Sequence, residues 1–241
     1  RAGFFGFFES FDDLDIARWL RVLVNEPVPL MAGRGKIDVH AGFAGLKPRM
    51  VDVDLALGTT TWRGVADAEN NYRRIELQAG WQAFSGGWEA TLRRFAVERG
   101  GKASPVGTGS LRYVRRTDNP GSVTAAADNI RLQDFWPVLW SVGSTGLRRD
   151  LLPEGVQGTV RDLELAASLP ADQPVTYTVE ASFKGLGITM PGPGLAVTGL
   201  TGSVSGDQAG GRINLGSADW LVRLPKLFRA DIRTSRATGQ L

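Results

Sequence analysis

Apolar and polar residues alternate along most of the chain. In one run, Ile37 and Val39 are separated by Asp38, and Lys36 and His40 flank them. Successive side chains of a β-strand point to opposite faces, so each such run has one apolar and one polar face. This pattern predicts a mainly β chain built on an antiparallel sheet with one solvated side. The candidate lining residues of the apolar face are Ile37, Val39, Val51, Val53, Leu55, Leu57, Ile75, Leu77, Leu163, Leu165, Val175, Tyr177 and Val179.

Turn-forming residues separate the alternating runs. Gly, Asn and Pro cluster at residues 58–59, 85–87, 99–101, 119–121 and 206–211. Runs of roughly ten to fifteen residues between such clusters are typical of consecutive hairpins. The sequence therefore predicts about a dozen strands.

Two segments carry the helical period instead. Ile16, Trp19 and Leu20 follow a group of aspartates, and the spacing predicts a helix over 14–24. A second helix is predicted over 132–142, with Pro137 in its first turn.

A supersecondary unit recurs along the chain: an apolar strand, an aromatic-bearing helix and a strand that begins with Gly. The copies begin near Leu14, Ile130 and Trp220, and the third is cut short where the sequence stops. Repeated units of this kind stack into extended proteins whose function depends on a long surface. We therefore expect an elongated, twisted antiparallel sheet of hairpin repeats with two short helices, as one piece of a longer protein.

Composition excludes several classes of function. The 241 residues contain no cysteine, which rules out a disulfide framework and thiolate chemistry. The net charge is +3 and the arginine pairs are scattered, so we expect no nucleic-acid partner. No run approaches the ~20 apolar residues that span a bilayer. The chain is expected to be soluble as given, with any membrane anchor outside it.

Few residues suggest catalysis. His40 is the single histidine and is expected on a polar strand face. Asp52 and Asp54 point off one strand face and could in principle form the carboxylate pair of a glycosidase, but the solvated face of an amphipathic strand is the favoured explanation. Three tryptophans, Trp62, Trp81 and Trp88, could stack on sugars or pack in a core. We expect no enzyme, no metal and no cofactor.

The order of short motifs in the second half resembles a known family. Residues 158–165 read Gly-Thr-Val-Arg-Asp-Leu-Glu-Leu, and 183–188, 199–204 and 224–228 continue the series. This order is similar to the YhdP-type branch of the AsmA-like proteins of Gram-negative bacteria. The likeness covers most of the chain and is clearest over 130–241, whereas the Phe-rich opening residues have no counterpart.

The resemblance implies a specific function. Proteins of this type are large, periplasmic and tethered to the inner membrane, and they are implicated in moving phospholipid toward the outer membrane and in envelope integrity. By that analogy the chain forms two β-groove repeats, 1–129 and 130–241, whose apolar side binds phospholipid acyl chains. Membrane contact would then be made by regions outside this piece.

Two alternatives stay open at this stage. A structural β-sandwich or interaction module would show the same alternation with its apolar faces sealed together. A carbohydrate-active jelly roll would combine the tryptophans with acidic residues.

Overall fold

The computed structural model describes residues 4–18, 30–63, 69–116, 119–136, 153, 155–170, 174–190, 196–216, 220–223 and 232–234. Within these ranges the chain is almost entirely strand. The strands are β1 (Phe4–Asp15), β2 (Leu30–Ala44), β3 (Lys47–Arg63), β4 (Glu69–Tyr72), β5 (Arg74–Phe84), β6 (Gly87–Arg99), β7 (Lys102–Ala103), β8 (Gly107–Arg116), β9 (Asn119–Asp128), β10 (Ile130–Arg131), β11 (Gly155–Leu169), β12 (Thr176–Thr189), β13 (Ala196–Asp207), β14 (Gly210–Leu215), β15 (Trp220–Arg223) and β16 (Ile232–Thr234).

All of these strands belong to one antiparallel sheet. Its order is β1-β2-β3-β5-β6-β8-β9-β11-β12-β13-β15-β16, and the short strands β4, β7, β10 and β14 pair beside this path. The order follows the chain, as expected for consecutive hairpins. The predicted mainly β fold with two short helical segments, at 16–18 and 132–136, is confirmed.

Several predicted turns are present, and two are wrong, since residues 58–59 lie inside β3 and residues 119–121 lie inside β9. Turns occur at Ser85–Gly86, Gly100–Gly101 and Gln208–Ala209. Gly58, in contrast, lies inside β3, where the pairing with β2 shifts register between Gly33 and Gly35. A glycine inside a strand often marks such an irregularity instead of a turn.

The first predicted helix begins two residues later than the sequence indicates. Leu14 and Asp15 belong to β1, where they pair with Gly35 and Arg34 of β2. The helical segment covers only 16–18 in the described residues, and 19–24 lie outside them. Pairing with β2 satisfies the backbone of Leu14 and Asp15, so tertiary context overrides the local helical spacing. For the second helix, 132–136 is confirmed and 137–142 lies outside the described residues. The last segment of the motif series, 224–228, also lies outside them.

The sheet is a single layer in the part of the chain that the structure describes. The extensive contacts between strands join neighbours in the sheet, so no second sheet packs on either face. The sheet also continues across the predicted repeat boundary, because β9 pairs with β11 on either side of residue 129. The division into repeats at 1–129 and 130–241 stays a prediction.

Candidate functional site

Cross-strand register gathers the apolar residues on one face of the sheet, here called the apolar face. In the first half, Ile37 lies opposite Leu55, and Leu55 lies opposite Leu77. In the second half, Leu165 lies opposite Val179. All the predicted lining residues within strands occupy this face, and Val175 comes directly before β12.

One row on this face is continuous from β1 to β13. Each member is the registered partner of the next, and every member is apolar or glycine. This apolar row consists of Phe7, Ala41, Val51, Trp81, Ala90, Leu111, Ala125, Leu165, Val179 and Gly206. With about 4.8 Å between neighbouring strands, it extends for roughly 40 Å.

The adjacent row on the opposite, polar face has a different character. It consists of Phe8, His40, Asp52, Gly80, Thr91, Ser110, Ala126, Glu164, Glu180 and Ser205. A register shift of one residue would move the apolar side chains of a strand to the hydrated face. The difference between the two faces therefore strongly specifies the register of the sheet.

Part of the apolar face is open. Phe5 is 52% exposed and Tyr177 42% exposed, and several other large apolar side chains of this region are similarly exposed: Phe7, Phe11, Leu111, Leu169 and Val175. Trp88 lies near Tyr113, with 6.1 Å between ring centroids. Several large exposed apolar side chains on one sheet face are typical of an interaction or ligand-binding surface.

The other end of the apolar face is covered. Leu57, Ile75 and Val97 are registered partners and are at most 8% exposed. Ile16 and Ala17, from the first helical segment, belong to the same buried cluster. The second helical segment, 132–136, is called the cap below; its Phe135 packs edge-on against Phe95, with 5.2 Å between ring centroids.

A polar cluster lies under the cap. Arg99 donates to Asn70 Oδ1 at 2.8 Å, and its guanidinium lies 5.7 Å from the centroid of the Tyr72 ring. Tyr72 donates from its hydroxyl to the backbone oxygen of Asp134 at 3.3 Å. Arg131 Nε lies 3.0 Å from Asp134 Oδ2. Burial raises the pKa of Tyr72 to about 12 and also raises the pKa of Asp134. The sequence did not predict this cluster, since its members are far apart in the chain.

The candidate catalytic residues are engaged elsewhere. Asp52 forms an ion pair with Arg93 at 2.7 Å, and Asp54 accepts a hydrogen bond from Gln78 at 2.8 Å. His40 is exposed on the polar face. Trp81 and Trp88 project from the apolar face, so the sheet separates them from both aspartates. Trp62 packs against the covered core. This arrangement contradicts a combined tryptophan–carboxylate sugar site.

Depressions on the surface do not form an enclosed pocket either. Three of them, of about 400 to 520 Å³, are lined mainly by small polar-face side chains such as Ser110, Thr124 and Ala166. Among the described residues no group of three His, Asp or Glu side chains is placed to hold a metal ion.

Sequence reasoning missed the aromatic residues of β1. Phe5, Phe7 and Phe11 extend the apolar face by a full strand, and their even spacing was the available signal. No helix in the described ranges is long and apolar enough to cross a membrane.

One comparison with known proteins identifies the family of the chain. The family model of the YhdP protein matches residues 6–241. Comparisons with curated proteins and with solved structures find no match. The family match includes the first half of the chain, where the motif resemblance is weakest. The chain belongs to the YhdP protein family, an AsmA-like, envelope-associated family related to lipid transport.

Proposed function

We propose that this chain is a section of a periplasmic, inner-membrane-tethered protein that conducts phospholipid toward the outer membrane. The observation that carries the proposal is the apolar row, which crosses ten strands without a polar side chain and is not covered by a second sheet within the described ranges. Family membership supports the same role.

The physical basis is the transfer of acyl chains from water to the apolar face. Each methylene group that leaves water contributes roughly 0.8 kcal/mol, so a long chain binds without directed polar contacts. A charged headgroup is costly to bury and would stay at the hydrated margin of the sheet. An apolar row of similar side chains provides no single deep minimum, which would let a lipid move along it.

This role requires neither a catalytic residue nor a cofactor. Acyl chains bring no group that needs proton transfer or coordination, and Asp52 and Asp54 of the polar face are engaged by Arg93 and Gln78. We therefore propose a non-enzymatic protein whose partners are phospholipid acyl chains, with no nucleic-acid partner.

A pair of single substitutions tests the proposal. Leu165 and Ala166 are neighbours on β11 that point to opposite faces, so Leu165→Asp and Ala166→Asp add the same charge on different sides. Lipids extracted from each purified chain are quantified by mass spectrometry, and binding of a fluorescent 16-carbon fatty acid is titrated.

We expect acyl species to co-purify with the wild-type chain. Leu165→Asp should weaken fatty-acid binding at least about tenfold, because a carboxylate in an acyl-binding surface must stay hydrated. Ala166→Asp should bind within about twofold of wild type, since one methyl on the polar face contributes little. Equal binding by both variants, or no acyl species on the wild-type chain, would contradict the proposal.

A further inference from the structure

The cap is attached to three different strands. Gln133 Oε1 accepts a hydrogen bond from the backbone N–H of Gly158 on β11, at 3.0 Å. The Asp134 backbone oxygen accepts from Tyr72 on β4, and Phe135 packs on Phe95 of β6. Removal of the cap would uncover this end of the apolar face.

The side chain of Asp134 is buried at the centre of these contacts. It is 1% exposed, and its Oδ1 has no hydrogen-bond partner among the described residues. Arg131 Nε lies 3.0 Å from Oδ2 and forms an ion pair with it, but the two groups are not oriented to form a hydrogen bond. A buried carboxylate in this state is costly when ionised, because one partner does not replace its hydration.

The charged and titratable groups that face Asp134 come from three elements. Arg131 precedes it in the chain, Arg99 comes from β6 and Tyr72 from β4. The two arginines favour the ionised carboxylate, yet burial is the larger influence and the pKa of Asp134 is raised.

We propose that Asp134 makes the cap an acid-stabilised latch, which is firmly seated over the end of the apolar face when the carboxylate is protonated and loosens when it ionises. The sign follows from linkage. A carboxyl group whose pKa is higher in the seated state than in the open state stabilises seating at low pH, and this stabilisation is lost as pH rises through the seated-state pKa.

The latch would regulate how much apolar surface is available. At acidic pH the buried cluster around Phe95 stays covered, and at higher pH it becomes accessible. Any effect on lipid entry rests on the proposed function, but the seating of the cap can be measured without lipid. The two proposals can therefore fail separately.

Hydrogen exchange tests the latch directly. Hydrogen exchange of peptides covering 130–136 is followed from pH 4 to pH 9. The intrinsic pH dependence of exchange is corrected with the rate of the unfolded peptide. A peptide from β12 serves as the internal reference for global unfolding. We expect the protection of 130–136 to fall at least about threefold with rising pH, since each unit of pKa shift is a factor of ten in the seating equilibrium. The β12 peptide should not follow it.

Two variants sharpen the result. Asp134→Asn mimics the protonated group, so its protection should stay high and vary less than about twofold across the range. Asp162→Asn removes the same charge at an exposed position and should behave as wild type. Arg131→Gln removes the nearest cation and should move the wild-type transition to higher pH.

Protection of the wild-type cap that is equal at pH 4 and pH 9 would overturn the latch. The latch would also be overturned if the protection of the cap in Asp134→Asn showed the same pH dependence as in wild type. If Asp134→Asn does not fold, the wild-type titration and the direction of the Arg131→Gln shift decide the question.

Discussion

Individual residues with unusual backbone conformations shape the sheet. The pairing of β11 with β12 shifts register between Gln157 and Thr159 and again between Arg161 and Glu164. Gly158 adopts a φ of 105° and Asp162 a φ of 49°, one at each irregularity. Bulges of this type strengthen the local twist and redirect side chains while the pairing continues. The apolar face is therefore maintained along β11 despite two interruptions.

Gly158 is a position where an added side chain should be costly, because it combines a positive φ with a close approach of backbone atoms. A Cβ there would lie 2.7 Å from the Cα of Leu186 and 2.8 Å from the oxygen of Gly185. Gly158→Ala should lower the free energy of unfolding by several kcal/mol, through backbone strain and a clash with main-chain atoms that cannot turn aside. Chemical denaturation measures the loss.

Gly185→Ala is the matched control for this substitution. Gly185 also has a positive φ, of 63°, but a Cβ there meets nothing within 4 Å. Gly185→Ala should lower the free energy of unfolding by only about 1 to 2 kcal/mol, which is the cost of a left-handed backbone conformation for a residue with a side chain. Similar losses in the two variants would show that the close approach at Gly158 is unimportant.

The ion pair on the polar face is expected to contribute little. Asp52 and Arg93 meet across Gly80, which lies between them on β5 and leaves room for their contact. Arg93 is 49% exposed, and pairs of this kind are screened by solvent. A double-mutant cycle of Asp52→Asn and Arg93→Gln should give a coupling energy below about 1 kcal/mol. A coupling of several kcal/mol would mean that the polar face is less hydrated than described.

At the scale of elements, the cap and the polar cluster hold one end of the sheet together. Tyr72 is 2% exposed, and burial is the main reason that its pKa rises to about 12. The nearby Arg99 lowers this pKa and Asp134 raises it. The stability that this raised pKa confers is fully present below the unfolded-state value near pH 10 and is lost as pH rises through about 12.

Removal of the Tyr72 hydroxyl should therefore reduce the loss of folding free energy at alkaline pH. At pH 11 the wild-type chain should have lost about 1.4 kcal/mol through this group, and Tyr72→Phe should not show that part of the loss. Near pH 7 the variant should be about 1 kcal/mol less stable, because the bond to Asp134 is gone. Parallel urea titrations at pH 7, 9 and 11 provide the comparison, and identical alkaline losses in both proteins would contradict the buried position of Tyr72.

Most of the elements could be predicted from the sequence, because period-two alternation is a local signal. Ile37 and Val39, or Leu163 and Leu165, reveal their shared face within a few residues. The end of β1 could not be predicted, since its extension through Leu14 depends on pairing with Gly35. The cluster of Tyr72 and Asp134 was equally inaccessible, because only the folded sheet brings residues 62 positions apart into contact.

For the whole molecule, the deciding property is that the described sheet has one layer. A sandwich would have sealed the apolar row against a second sheet, and in the described ranges the strands form a single continuous sheet instead. The edge strand β1 adds exposed aromatic surface on both faces, with Phe7 on the apolar side and Phe8, 66% exposed, on the other. The molecule therefore presents a long apolar surface to its surroundings.

A photo-crosslinking scan along β12 tests the central claim most directly. A photo-reactive amino acid is placed at each position from 176 to 182 in turn, the purified chain is loaded with phospholipid, and lipid adducts are measured by mass spectrometry after irradiation. We expect adducts with a period of two, strong at positions 177, 179 and 181 and weak at 176, 178, 180 and 182, because only the first set faces the apolar side. Adducts that form equally at all positions, or that favour the polar set, would contradict the claim that this face carries the acyl chains.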